Sequence, residues 1–242
     1  MLVTLYGGND GLNTVIPYEA GAYLGGRPQL GYQPSEVLPL GEGLGLHPNL
    51  VGLKELWDKG QVAIVRGVGY PNPNRSHFRS MDIWQSAAPD ANVATGWVGR
   101  WLDTTMAFGH AAGKMDPLRA VSVGSTLPRI FGGEKVAGAA VPVGPLTLPG
   151  GPAVSEGFTA LSAASPGASP LAARIGQVGS DLLHVQHAVS DMLAAHPEDE
   201  AAQAANAASA GGLEANRNAL DSQLGLAARL IKAGSPTRVY GV

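Results

Sequence analysis

Two short stretches of this chain carry residues whose types and spacing could do chemistry. The first is Asn9-Asp10, which follows an apolar run, Leu2-Val3-Thr4-Leu5-Tyr6, and a glycine pair, Gly7-Gly8. A strand that ends in glycines and then a carboxylate sets that carboxylate at the carboxyl edge of a sheet, where open α/β folds bind ligands. The glycines let the backbone turn tightly and come close to a ligand. Asp10 is thus the best single candidate for chemistry in the chain. The same Asn-Asp-Gly stretch also suits a simple chain reversal.

The second stretch is Arg75-Ser76-His77, at the end of a loop rich in Pro and Asn (69–75). A helix is expected from Ser76 through Trp84. A serine at a helix N-terminus meets free N–H groups and the positive end of the dipole. It can attack a phosphoryl or sulfuryl centre once a metal or base removes its proton. Arg75 could clamp an oxyanion, and His77 could ligate a metal or carry a proton. Read as plain structure, Ser76 is a helix cap and its neighbours are solvated. Asp82, six residues on, projects from another side of that helix.

His184 and His187 share one face of a long helix. No carboxylate lies at a matching spacing, so they read as a solvated flank. His47 and His110 have no supporting context. Gly7-Gly8-Asn9-Asp10-Gly11 lacks the G-x-G-x-x-G spacing of a dinucleotide loop.

Composition narrows the classes. The chain has 242 residues, a net charge of −3 and no cysteine. Without cysteine, disulfides and thiolate chemistry are excluded, and a metal would need oxygen or imidazole ligands. There is no basic run and no interleaving of aromatic with basic residues, so nucleic acid is not an expected partner. Between 136 and 173 the only charge is Glu156, but Pro142, Pro145, Pro149 and Pro152 interrupt any membrane span. Met1 opens directly into the first strand, so no signal peptide is expected.

The elements that would position these groups follow from periodicity and punctuation. Gly45-Leu46-His47-Pro48 opens a helix that Gly60 closes. Residues 61–68 form a continuous apolar run, expected as a buried parallel strand. Gly96 to Met106 reads as a helix and 119–124 as a strand. Residues 132–168, rich in Gly, Pro and Ala, are expected to be an irregular insertion with a small hairpin near 136–143. Ser169-Pro170 starts a helix whose apolar positions, Leu171, Ile175, Val178, Leu182, Val185, Val189 and Met192, alternate spacings of four and three. Pro197 would stop it. A second helix covers 198–233, with Leu213, Leu220, Leu224, Ala228 and Ile231 on its buried face. Residues 237–242 read as a last strand.

Several blocks, taken together and in order, resemble the bacterial "domain of unknown function 1501" family. They are Gly7-Gly8-Asn9-Asp10-Gly11-Leu12-Asn13-Thr14-Val15-Ile16-Pro17-Tyr18, Leu46-His47-Pro48, Val62-Ala63-Ile64-Val65, Arg75-Ser76-His77-Phe78, Gly96-Trp97-Val98-Gly99-Arg100-Trp101-Leu102 and Leu226-Ala227-Ala228-Arg229-Leu230-Ile231. That family is grouped with the alkaline phosphatase and sulfatase superfamily. The resemblance implies a three-layer α/β/α fold around a largely parallel sheet and a metal-dependent hydrolase-like site. Asp10 then matches the aspartate that binds metal after the first strand, with Asn9 orienting the loop, and Ser76 matches the nucleophile. The implied ion is zinc, calcium or manganese, and the implied substrate a small-molecule ester.

Family members are usually exported through a twin-arginine signal. They continue past the strand at 237–242 into a Gly-Gly-Phe-Asp-Thr-His segment and Asp-His motifs that supply further ligands. The resemblance therefore implies that residues 1–242 form a single partial α/β domain, the amino-terminal portion of such a protein. A chain of that kind would be inactive alone, bind metal weakly and self-associate through uncovered sheet or helix faces. The alternative is a non-catalytic exported binding or structural protein that keeps the fold.

Overall fold

The computed structural model of the chain describes residues 1–5, 9–107, 116–144, 146–148, 150–163, 167–195 and 213–242. They fall into two compact units, Leu5–Tyr70 and Pro71–Val242 together with Met1–Thr4.

The Leu5–Tyr70 unit is built around a three-stranded antiparallel sheet that sequence reading does not anticipate. Helix α1 (Gly11–Thr14) runs into β1 (Val15–Ile16), and α2 (Gly21–Gly26) follows. Strands β2 (Leu38–Gly41) and β3 (Leu44–Leu46) form a hairpin, and the sheet order is β1-β3-β2. The hairpin turn takes positive φ at Gly41, Glu42 and Gly43. Glycine tolerates that conformation freely, so Gly-Glu-Gly was the available signal. Ile16, Tyr23 and Val37 form the core, with Tyr18, Leu24 and Tyr32 packed on it.

Helix α3 (Val51–Asp58) begins later than the Pro48 start that the sequence suggests, because Leu44–Leu46 is recruited as a strand. Its end is as expected. Gly60 has φ +68°, its N–H donates to Trp57 O, and Gln61 N–H donates to Leu56 O. This is the paired bonding of a left-handed helix terminus. The expected buried strand at 61–68 is not formed. These residues join no ladder, and Val65 and Val68 are exposed. Apolar, β-branched composition suits a strand only where neighbours cover both faces, and here none does.

The larger unit centres on a parallel sheet. Strands β4 (Ala120–Val123), β5 (Ala139–Val141) and β6 (Val239–Gly241) are ordered β5-β4-β6, with both pairings parallel. Residues 2–4 extend it as far as three backbone bonds: Leu2 N–H to Tyr240 O, Val242 N–H to Leu2 O and Thr4 N–H to Val242 O. The first apolar run thus pairs as a strand would, but Val3 and Leu5 are exposed rather than buried. The chain is mixed α/β with a small parallel sheet.

All four residues of β4 are buried. Alternate side chains of a strand face opposite ways, and two clusters follow from that. Val121 and Val123 join Val185 and Val189 of α7 (Pro170–Ala194) and Leu226, Ala227 and Leu230 of α8 (Leu213–Lys232). Ala120 joins Val98 and Leu102 of α5 (Trp97–Ala107) with Ile130 and Phe131.

Within 132–168 the described residues include β5, which pairs parallel to β4 rather than in a hairpin, and a twelve-residue helix, α6 (Gly151–Ser162). Ser169 caps α7 through its hydroxyl, which accepts from Ala172 N–H at 3.3 Å, as expected of a Ser-Pro start. The stop at Pro197 lies outside the described residues, as do 198–212. On α8 the buried face is Leu226, Ala227 and Leu230, whereas Ile231 is exposed. An Ala- and Leu-rich helix offers more than one apolar stripe, and packing selected the neighbouring one.

Candidate functional site

The stretch around Asp10 lies in the Leu5–Tyr70 unit. Asp10 is the N-cap of α1, its Oδ1 accepting from Leu12 N–H at 3.2 Å. Asn9 Oδ1 accepts from the Thr14 hydroxyl at 2.9 Å, and that hydroxyl also donates to Asp10 O. Asn9 and Asp10 are therefore gathered around Thr14, in the local turn that Asn-Asp-Gly suits. The other oxygen of Asp10 is engaged by the Arg27 guanidinium in a close ion pair. That hydrogen bond holds the Asp10 carboxyl below the ordinary aspartate value and raises Arg27 in turn. Arg27 was invisible as a partner because seventeen residues and α2 separate it from Asp10.

The rest of this unit's polar structure is architectural. Tyr23 OH donates to Asn13 Oδ1 at 2.7 Å and accepts from Tyr32 N–H at 3.0 Å. His47 Nδ1 accepts from Asn49 N–H at 3.2 Å, and Nε2 lies 2.7 Å from Tyr32 OH. With Nδ1 accepting, Nε2 carries the proton and donates to the tyrosine. His47, without context in the sequence, is thus a structural hydrogen-bonding group.

Ser76 lies in the other unit. It is the N-cap of α4 (His77–Ser86), and its hydroxyl accepts from Arg79 N–H at 3.5 Å. Its own N–H donates to Asn74 Oδ1 at 2.8 Å, so the Pro/Asn loop feeds the helix start directly. Arg75, Ser76 and His77 are all exposed, and Phe78 is 89% exposed. The Arg79 guanidinium turns to the carbonyls of Pro89 and Ala91. Asp82, as expected on a different side, pairs with Arg129 at 3.1 Å.

His184 Nε2 lies 3.4 Å from Asp116 Oδ1. That carboxylate comes from sixty-odd residues away in the sequence. His187 is exposed. Among the described residues, no three His, Asp or Glu side chains converge as a metal shell would require. One aspartate supplies one or two oxygens where a hard divalent ion takes six or more, and here Arg27 already occupies it. Among the described residues, these groups do not make a metal site by themselves. His110 lies outside the described residues.

No family profile, no curated protein and no solved structure matches the chain.

The block Gly96-Trp97-Val98-Gly99-Arg100-Trp101-Leu102 is explained by packing. A Cβ at Gly96 would lie 2.2 Å from Arg129 O, and one at Gly99 would lie 2.1 Å from Gly132 C. Both glycines let α5 lie directly on the backbone of 129–133, while Val98 and Leu102 fill the core. Arg100 donates to Ser86 O at 2.6 Å and to Thr95 O at 3.0 Å, tying the end of α4 to the start of α5. One turn later, the Asp103 carboxylate accepts from Glu134, Lys135 and Val136 N–H. Among the described residues, no helix is long and apolar enough to cross a membrane.

Proposed function

We propose that this chain shares ancestry with metal-dependent phosphate- and sulfate-ester hydrolases, with a three-layer α/β/α plan, and that it is catalytically silent by itself. Ser76 carries this reading. It is an exposed hydroxyl at the first turn of a ten-residue helix, between Arg75 and His77. Such a terminus binds tetrahedral oxyanions, and a serine there is where an ester hydrolase of this kind would keep its nucleophile. Asp10 and Asn9 would be the remnant of a loop that favoured zinc, calcium or manganese. Burial of β4 on both faces supports the layered plan. The ligand would be a small-molecule ester rather than nucleic acid.

A second reading, a non-catalytic exported binding or structural protein that keeps the fold, draws on one observation. Arg27 satisfies Asp10 internally, as a structural ion pair would.

Titration of the labelled chain with inorganic phosphate and sulfate tests the first reading. Selective shifts of the 76–79 amides are expected, and they should weaken in Arg75→Gln. Absence of those shifts would overturn it. Aryl phosphates and sulfates with zinc, manganese or calcium should show no turnover above the Ser76→Ala background. Turnover abolished by Ser76→Ala would overturn the silence and reveal ligands outside those named here.

A further inference from the structure

We propose that two copies of this chain associate through the amino-terminal half of α7, antiparallel, along Leu171, Ile175, Val178 and Leu182. These residues are 71%, 63%, 54% and 37% exposed. At about 100° per residue they form one narrow stripe. The stripe continues without interruption into Val185 and Val189, which are buried against the sheet. It is therefore core-like along its whole length and covered by this chain only in its second half.

Helix α6 does not cover it. That helix packs across Gly176, Gly179 and Ser180, where a Cβ at Gly179 would meet Ser162 and the Ser180 hydroxyl donates to Ser162 O. This contact lies roughly a third of a turn round α7 from the stripe.

A stripe with spacings of four and three is what a second helix of the same pattern fits. The pattern here is self-complementary. A two-fold axis repeats every contact, so antiparallel pairing sets Leu171 against Leu182 of the second copy and Ile175 against its Val178, each twice. The flanking positions on one side are Arg174 and Asp181. In the same register each Arg174 faces Asp181 of the other copy, giving two reciprocal pairs of opposite charge. The other flank is Ala172 and Gly179, on the side where α6 packs. Parallel pairing would instead set Arg174 opposite Gly179 and forfeit both ion pairs. Charge thus selects the antiparallel arrangement.

Among the described residues, Arg174 donates to Lys135 O at 3.4 Å, and Asp181 accepts from Gln177 at 2.6 Å. Both side chains, together with Val178 and Leu182 of the stripe, line a cleft of about 620 Å³ between α7 and β5. They can reach across a seam without unfolding anything.

Sedimentation velocity on the full chain over a wide concentration range tests the proposal. Wild type should show a reversible monomer–dimer equilibrium. Arg174→Asp should raise the dissociation constant about tenfold, because two pairs become like-charged. The double variant Arg174→Asp with Asp181→Arg should restore it, which a surface elsewhere on the molecule would not do. Because the chain has no cysteine of its own, Ile175→Cys with Val178→Cys should cross-link under mild oxidation more readily than either single variant. A monomer at every concentration would overturn the proposal. So would a dimer indifferent to Arg174→Asp, failure of the double swap to rescue, or cross-linking strongest in Ile175→Cys alone. Circular dichroism of each variant should match wild type, since all the changed positions lie outside the core.

Discussion

Replacing Gly99 with alanine sets two effects of opposite sign against each other, and the structure says which wins. In a helix interior, alanine is favoured over glycine by about 1 kcal/mol. At Gly99, however, the new Cβ would lie 2.1 Å from Gly132 C and 2.3 Å from Gly133 N, where ordinary contact starts at 3.4 Å. One side must retreat by more than an ångström. The obstacle is backbone, and it is pinned. Gly96 N–H donates to Gly132 O at 2.8 Å, and Asp103 holds the next three N–H groups. Overpacking of this kind costs 1–3 kcal/mol and occasionally more, and here withdrawal also breaks hydrogen bonds worth about 1 kcal/mol each. Gly99→Ala should therefore lose about 3 kcal/mol net.

The control is Gly157 of α6, which has nothing within 4 Å of its would-be Cβ. There the propensity term acts alone, and Gly157→Ala should stabilise by several tenths to about 1 kcal/mol. Urea unfolding of the three proteins would show a lower midpoint for Gly99→Ala and a higher one for Gly157→Ala, with similar slopes. If Gly99→Ala is as stable as wild type, the close approach of α5 to 129–133 is wrong.

Three further outcomes follow from contacts already described. Asp103→Ala removes an acceptor shared by three partly solvated N–H groups, and should cost about 2 kcal/mol in urea unfolding; Asp103→Asn should recover part of that. Ser76→Ala deletes the cap of α4 and should cost about 1 kcal/mol, whereas Ser76→Asp, which also caps, should cost little; equal losses in both would deny Ser76 the capping role. The Arg27 bond holds Asp10 lower in the folded chain than when unfolded. A depressed carboxyl contributes stability above its unfolded value and loses it as pH falls through the folded one. NMR titration should show Asp10 titrating below ordinary aspartates in wild type and moving up towards them in Arg27→Gln. An unchanged Asp10 would refute the pairing.

What the sequence disclosed follows a physical divide. Elements that carry their own signals were legible. Ser169-Pro170 starts α7, Gly60 ends α3, Ser76 begins α4, and the runs at 119–124 and 237–242 become β4 and β6. Elements defined by their partners were not. Residues 61–68 have the composition of a strand and no ladder, while Leu38–Gly41 and Leu44–Leu46 form one with little composition to announce it. The apolar spacing of α7 was plain, but which half is covered depends on where the sheet ends. The same holds at the candidate site. Caps and turns are local, so Ser76 could be read as a capping group, and Asp10 as part of a turn, from their neighbours alone. Arg27, Asp103 and the Asp116 beside His184 act across long separations, and no short motif encodes such distances.

The three backbone bonds joining residues 2–4 to residues 240–242 tie together parts of the chain that are far apart in sequence. Closing so long a loop costs entropy that grows only slowly with length, but it also fixes an order of events. During synthesis the amino-terminal segment leaves the ribosome with its sheet neighbour not yet made. Until β6 exists, β4 has one flank bare, and Leu2 has nothing to bond. Helices α5 to α8 can form meanwhile from local contacts, but strands β4, β5 and β6 come together only once residues 239–241 have been made. A nascent chain of this design holds its central strand unsealed from the synthesis of β4 until that of β6, which makes that interval the one in which a chaperone or a second nascent copy would meet it.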